Sequence, residues 1–278
     1  IKVLNILLQD GFLLFERKKK YYFLVGLPRA GNTLLGSILN QNKRIAVTAN
    51  SPVPAILYGI EEFMDEDDKL KNFQDRHSLE NITKNIIPNY YSDWKARYII
   101  DRAPWGTPAN MELIDKYCPN EIKIIVLVRN LYEVLASYLR WAELNPGNFL
   151  DVYETREERC EHLMVKDGII MMSLYSIHQL LNNPCCLFIK YDNLVLNTKE
   201  EINKIYEFLD IPSYNHSYHN LKQFECNSIK YNDDILGANL HHVKSEITKS
   251  DYDFMDYVPP SILEKYGDLN SYYFQLIN

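Results

Sequence analysis

Short runs of consecutive apolar residues alternate along this chain with longer stretches in which apolar positions recur every three or four residues. The short runs predict strands at residues 21–25 (YYFLV), 45–48, 98–100, 122–128 (IKIIVLV) and 185–190. The run at 122–128 is the clearest, being rich in β-branched residues and free of turn formers. The longer patterns predict helices at 32–40, from Pro52 and Pro54 through Met64, at about 109–116, at 132–141, over a long stretch at 156–182, and at 198–209. Thr198 and Glu201 have capping-box spacing at the start of the last of these. After Ile211 the pattern weakens into irregular segments with a final helix near 261–274. Strand and helix in alternation make βαβ units, so the expected class is α/β. A central, mainly parallel sheet is flanked by helices in three layers.

No repeat or low-complexity linker divides the 278 residues, 46% of which are hydrophobic. That supports one domain over 1–278, with a core at about 21–212 and an irregular part at 213–278. The net charge of −7 disfavours general nucleic-acid binding but leaves room for a local basic pocket. Five cysteines, at 118, 160, 185, 186 and 226, form neither CxxC nor metal-ligand spacing and read as thiols of a reducing compartment. No apolar stretch reaches the roughly 18 residues of a membrane span. The opening IKVLNILLQDGFLLF is interrupted by Asn5, Gln9, Asp10 and Gly11 and lacks signal-peptide order. The expectation is a soluble, cytoplasmic protein, with its oligomeric state unread.

The first chemical signal is Gly26-Leu27-Pro28-Arg29-Ala30-Gly31-Asn32-Thr33, placed between a strand and a helix. Successive N–H groups in such a turn, backed by a helix N-terminus, make an anion site. The spacing is that of the P-loop GxxxxGK[ST], with Asn32 in the lysine position and the positive charge moved to Arg29. Without that lysine, ordinary ATP or GTP cleavage is not expected. The second signal is Arg129 at the end of the strongest strand, eight residues before Ser137 on the next helix. Ligands of open parallel sheets bind beyond the carboxyl ends of strands, which puts Arg129 on the same edge as the loop.

Together these motifs resemble the sulfotransferases that use 3′-phosphoadenosine-5′-phosphosulfate (PAPS). GLPRAGNTLL looks like the 5′-phosphosulfate loop in its tyrosylprotein and bacterial form. VRNLYEVLAS looks like the 3′-phosphate motif, and IKYDNLVLNTKEEINKIYEFLDIP like a third family block. The resemblance runs from about residue 21 to 212. It implies a P-loop-like fold and transfer of a sulfuryl group from PAPS to a hydroxyl or amine, releasing adenosine 3′,5′-bisphosphate (PAP). It implies that Arg29, Ala30, Gly31, Asn32, Thr33 and Leu34 hold the 5′-phosphosulfate, that Arg129 and Ser137 hold the 3′-phosphate, and that Tyr191 borders the nucleotide. Lys244 would stand for a basic residue of a late loop. The implied acceptor is a carbohydrate, a small metabolite or a protein tyrosine.

In-line transfer builds charge on the leaving phosphate oxygen, so fixed cations there lower the barrier. Arg29 is the first candidate and Arg102 the second; the transfer needs no metal. A hydroxyl acceptor usually needs a general base. Where family members carry a glutamate, VTANSP offers Asn50 and Ser51, so Asp101 is the nearest carboxylate. It is open to either catalysis or a structural pairing. His241 and His242, in a late polar loop, and Glu61 and Glu62 are further candidates. Tyr90, Tyr91, Trp94, Trp105 and Trp141 fit either an acceptor cleft or the core. The alternatives are a P-loop-type nucleotide kinase and a catalytically inactive nucleotide-binding module.

Overall fold

A computed structural model describes residues 18–66, 68–236 and 240–275. The opening apolar stretch lies outside the described residues. Five strands form one sheet: β1 (Lys20–Gly26), β2 (Ile45–Val47), β3 (Tyr98–Arg102), β4 (Ile124–Val128) and β5 (Cys186–Lys190). Their order is β2-β3-β1-β4-β5 and all pairs are parallel. The chain lays β2 and β3 on one side of β1, then crosses to lay β4 and β5 on the other. Every residue of β4 and the whole interior of β1 are buried, so helices cover both faces, as a parallel sheet requires. This is the α/β architecture expected.

Because the strands are parallel, their carboxyl ends share one edge. That edge collects the loop after Gly26, the turn after Val47, Arg102, Arg129 and Tyr191. Gly26 pairs with Leu127 across the β1–β4 contact. A Cβ there would sit 2.7 Å from the Leu127 carbonyl oxygen, which is why this position is glycine.

Three local expectations are corrected. The stretch 156–182 is two helices, Arg156–Leu163 and Ile169–Leu180. The polar turn Lys166-Asp167-Gly168 breaks it, with the Gly168 N–H bonded to the Val165 carbonyl. The capping box expected at Thr198 does not form. A one-turn helix, Tyr191–Leu196, runs almost directly into the helix Thr198–Phe208 and makes Asn197 the cap residue, while Glu201 instead bonds Lys204 at 2.5 Å. A full capping box stands at Thr155 and Glu158. The final helix is also two, Pro260–Lys265 and Gly267–Gln275. Short helices at Asp68–Asn72, Arg76–Lys84 and Ile86–Tyr90 fill a stretch whose pattern gave no signal.

The part after 213 packs onto the sheet's helices rather than standing apart. It holds a small antiparallel hairpin of β6 (Glu225–Cys226) and β7 (Ile229–Lys230). Phe224, just before it, lies against Gly36 on the helix that follows the loop, where a Cβ would come 2.6 Å from the ring.

Gly26→Ala forces the β1–β4 backbones apart and should destabilise the fold by about 1–3 kcal/mol, the usual range for overpacking. Urea denaturation at neutral pH measures it; an unchanged midpoint would contradict the close approach.

Candidate active site

The loop Leu27–Gly31 turns sharply. Arg29 has φ 61° and Gly31 φ 90°, two left-handed residues in three. No side chain caps the helix Asn32–Leu39 that follows, so its first N–H groups are left for a ligand. Asn32, at the position of the P-loop lysine, is buried and donates from its side chain to the Leu27 carbonyl at 2.8 Å. It braces the turn. Its Oδ1 is a buried acceptor with no partner among the described residues. Ala30 is buried, while Thr33 and Leu34 are half-buried on the first helical turn.

Arg129 lies one residue beyond β4 and is 5% exposed. The Asn130 side chain caps the next helix, Leu131–Leu144, by accepting from the Tyr132 and Glu133 N–H groups. That cap starts the helix at once and places Glu133 and Ser137 one and two turns in. The Arg129 guanidinium donates to Glu133 at 3.0 Å, to the Arg29 carbonyl at 2.9 Å and to the Ser250 hydroxyl at 3.0 Å. It also stacks 4.1 Å from the Tyr191 ring centroid. Tyr191 reaches the loop as well, since its ring lies 3.1 Å from where a Cβ on Gly31 would be. Arg29 donates from Nε to Ser137 at 3.0 Å and from its terminal nitrogen to the Leu240 carbonyl. The two sequence motifs are thus in direct contact. A cavity of about 460 Å³ opens beside Arg129 and Tyr191, lined also by Glu133, Asp192, Lys249 and Tyr252.

A second cluster stands beside Arg29. Arg102 donates to the Ala49 carbonyl at 2.9 Å, to Asn50 and, at 3.5 Å, to the Tyr231 hydroxyl. Tyr231 stacks face to face on His241 at 3.8 Å, and His241 Nδ1 meets Asp233 at 2.5 Å. Tyr138 is buried within electrostatic reach of both Arg29 and Arg102, and burial pushes its hydroxyl pKa up. Burial pushes the Arg29 guanidinium down from its usual value, with nearby Arg129 acting in the same direction.

Most of the sequence candidates meet here; Lys244, Asp101, Glu61 and His242 do not. Lys244 is exposed, between Val243 and Ser245, whose backbones are tied to Gln223 and Leu221. The late-loop cation that lines the cavity is Lys249. Asp101 points away from the cluster, since adjacent residues of a strand face opposite sides and Arg102 holds the other. It is 2% exposed and accepts from Ser51 at 2.8 Å, from Trp105 at 3.0 Å and from Tyr91. These donors engage both carboxylate oxygens, hold Asp101 away from the cluster and tie Tyr91 and Trp105 to it. Glu61 is engaged by Lys116 and Tyr117, and His242 is exposed. The sequence missed Tyr138, Lys249, Ser250 and the pairing of Asp233 with Tyr231 and His241. Tyr138 is legible as the neighbour of Ser137; the others come from a segment with no periodicity to place them.

A family model described as the sulfotransferase family matches residues 22–216, well over half of the chain. The chain belongs to the sulfotransferase family. The sulfotransferase is similar in fold to a mouse sulfotransferase, SULT7A1, solved in complex with PAP. The TM-score is 0.53 and identity 16%, with 95% of this chain and 91% of that one covered. The sulfotransferase domain of an olefin synthase from Synechococcus PCC 7002 also matches, at TM-score 0.46 and 15% identity over 94% and 95% of the two chains. No curated protein matches this sulfotransferase in sequence. No helix among its described residues is long and apolar enough to cross a membrane.

Burial holds the Asp101 carboxyl above the ordinary value of 3.8, against the pull of its three donors. A carboxyl raised in the folded state contributes stability that is present at low pH and is lost as pH rises through its folded pKa. Asp101→Asn removes that loss, so the variant should gain stability relative to the wild type as pH rises from about 4 toward neutrality. Parallel urea titrations across that range read it, and a difference that falls with pH would reverse the assignment.

Proposed function

We propose that this chain transfers the sulfuryl group of PAPS to a hydroxyl or amine acceptor and releases PAP. The observation that carries the reading is an uncapped helix N-terminus at the carboxyl edge of the sheet, preceded by a loop whose Arg29 carbonyl is held by the Arg129 guanidinium and whose Arg29 guanidinium bonds Ser137. Membership of the sulfotransferase family fits it. A nucleotide with phosphate groups at both its 3′ and 5′ positions suits two separate anion sites. The N–H groups of Gly31 to Leu34 would take the 5′ end, and Arg129 with Ser137 the 3′-phosphate, with Tyr191 bordering the nucleotide. The cavity beside Arg129 and Lys249 lies within the size range of small-ligand pockets, and the carboxylates Glu133, Asp192, Asp251, Asp253 and Asp256 also line it. The Ser250 hydroxyl now bonded to Arg129 stands where a phosphate oxygen would bond.

In the chemical step the acceptor oxygen attacks sulfur in line as the bond to the bridging oxygen breaks. Charge grows on that oxygen, and Arg29 and Arg102 are the cations nearest to offset it. A kinase reading needs a lysine where Asn32 is committed to the Leu27 carbonyl. An inactive module would bind PAP without turnover. We also infer that the chain works as one domain, supported by an apolar cluster that runs from Tyr21 to Tyr273. A cytoplasmic setting is supported by five cysteines that are all free thiols.

Two measurements test the reading. Arg129→Ala should weaken PAP binding by roughly one to two decades, the worth of a charge-assisted contact to a buried phosphate. It should affect adenosine 5′-phosphosulfate, which lacks the 3′-phosphate, far less. Equal losses in calorimetry would remove Arg129 from the 3′ site. Arg29→Ala should lower single-turnover transfer by about 10²–10³ with a smaller change in PAPS affinity, and lysine should restore part of the rate. Transfer at the wild-type rate by the alanine variant would show that the loop is not the transfer site.

A further inference from the structure

Asp101 leaves the reaction without a base, and the structure offers another. We propose that His241 is the general base, taking the acceptor's proton on Nε2 while Asp233 holds its Nδ1–H. The proposal rests on the sulfuryl-transfer reading above and names the residue that completes it.

Four observations support it. An ionised carboxylate only accepts hydrogen bonds, so the 2.5 Å contact from Asp233 fixes the proton on Nδ1. The lone pair of neutral imidazole is then on Nε2, which has no hydrogen-bond partner among the described residues. The ring is clamped flat on Tyr231, with an interplanar angle of 5°, and is half-buried rather than free in solvent. Its position is tied to the transfer centre from both sides. Arg29 bonds the carbonyl of the preceding residue, Leu240, and Arg102 bonds the hydroxyl of the Tyr231 ring on which His241 lies. His242, next in sequence, has none of this and is exposed.

The balance of the step is simple. The acceptor's O–H proton passes to Nε2 and its oxygen forms the bond to sulfur. The bond from sulfur to the bridging oxygen breaks, and its electron pair stays on the 5′-phosphate of PAP. His241 becomes imidazolium, and Asp233 stabilises it as the aspartate of a catalytic triad does. Once PAP leaves, the proton goes to solvent.

The charged and titratable groups facing the ring are Asp233 from its own segment, Tyr231 from the strand end before it, Arg102 from the end of β3 and Arg29 from the loop. Burial is the largest influence and lowers the imidazole pKa from 6.5; Arg102 and Arg29 add to that, while Asp233 opposes it. A base must be neutral to act. Transfer should therefore rise with pH through a limb below about 6.5 and be flat above it.

The test is single-turnover transfer at saturating PAPS over about pH 5–9, with an aliphatic alcohol acceptor taken from a PAPS-dependent mass screen. PAP titration checks the binding site of each variant. His241→Ala should lose about 10²–10⁴ in rate, lose the acid limb, keep its PAP affinity and recover rate with added imidazole. Asp233→Asn should transfer more slowly and move the limb to lower pH, because the group that raises the imidazole pKa is gone. If His241→Ala does not bind PAP, the Asp233→Asn limb decides, and a limb that stays in place overturns the proposal. A His241→Ala variant with wild-type rate and pH profile overturns it too while leaving sulfuryl transfer standing. A wild type that binds PAP but transfers to no acceptor in the screen overturns the sulfuryl-transfer reading itself.

Discussion

The site depends on one buried cation. A guanidinium taken out of water costs several kcal/mol unless its donors are satisfied and its charge is met. Arg129 meets that condition by joining three parts of the chain. Glu133 on its own helix supplies the counter-charge, the Arg29 carbonyl comes from the loop, and Ser250 comes from the segment after 240. The bond to Arg29 also bears on the loop. A non-glycine residue in the left-handed region is strained, and persists only where its surroundings over-determine it. Arg129 grips the carbonyl of Arg29, the strained residue itself. Loop shape and the setting of Arg129 are therefore one structural unit.

Strand direction explains why so few residues can do so much. In a parallel sheet every strand delivers its last residue to the same edge. The loop, Arg102, Arg129 and Tyr191 are neighbours although they span more than 160 positions in sequence. The late segment closes over this edge instead of extending the sheet. It supplies Tyr231, Asp233, His241, Lys249 and Ser250, all of them polar or amphipathic side chains reaching in from irregular backbone. Loops of this kind carry function because a rigid layer beneath them fixes where they start and stop.

That division also sets what the sequence could reveal. The run IIVLV in β4 has no reading but a buried strand, and the spacing from Arg129 to Ser137 follows once Asn130 caps the helix. Those signals are local, and the structure has them within a residue or two. Asp101 was legible as a carboxylate near the site but not as a core residue. Its three donors come from Ser51, Tyr91 and Trp105, and two of those lie at least ten positions away. Lys244 and Lys249 are alike in sequence and both are exposed, and only the fold of residues without periodicity sets Lys249 beside Arg129. The pairing of Asp233 with His241 joins residues eight positions apart in sequence, which no helix or strand period could have announced.

The exchange of the P-loop lysine for Asn32 fits the same logic. A lysine at the first helical position serves a triphosphate, whose charge extends past the loop. Asn32 spends its amide on the Leu27 carbonyl and tightens the turn, which leaves the helix N-terminus to offer only main-chain N–H groups. The cation moves three residues back to Arg29. There a planar fork can bond Ser137 on one side and the Leu240 carbonyl on the other, which a lysine's single ammonium on a flexible stem would hold less rigidly. Both partners are neutral, and the nearest guanidinium repels Arg29. Among the described residues no carboxylate pairs with Arg29, so its charge is open to an anion arriving at the loop.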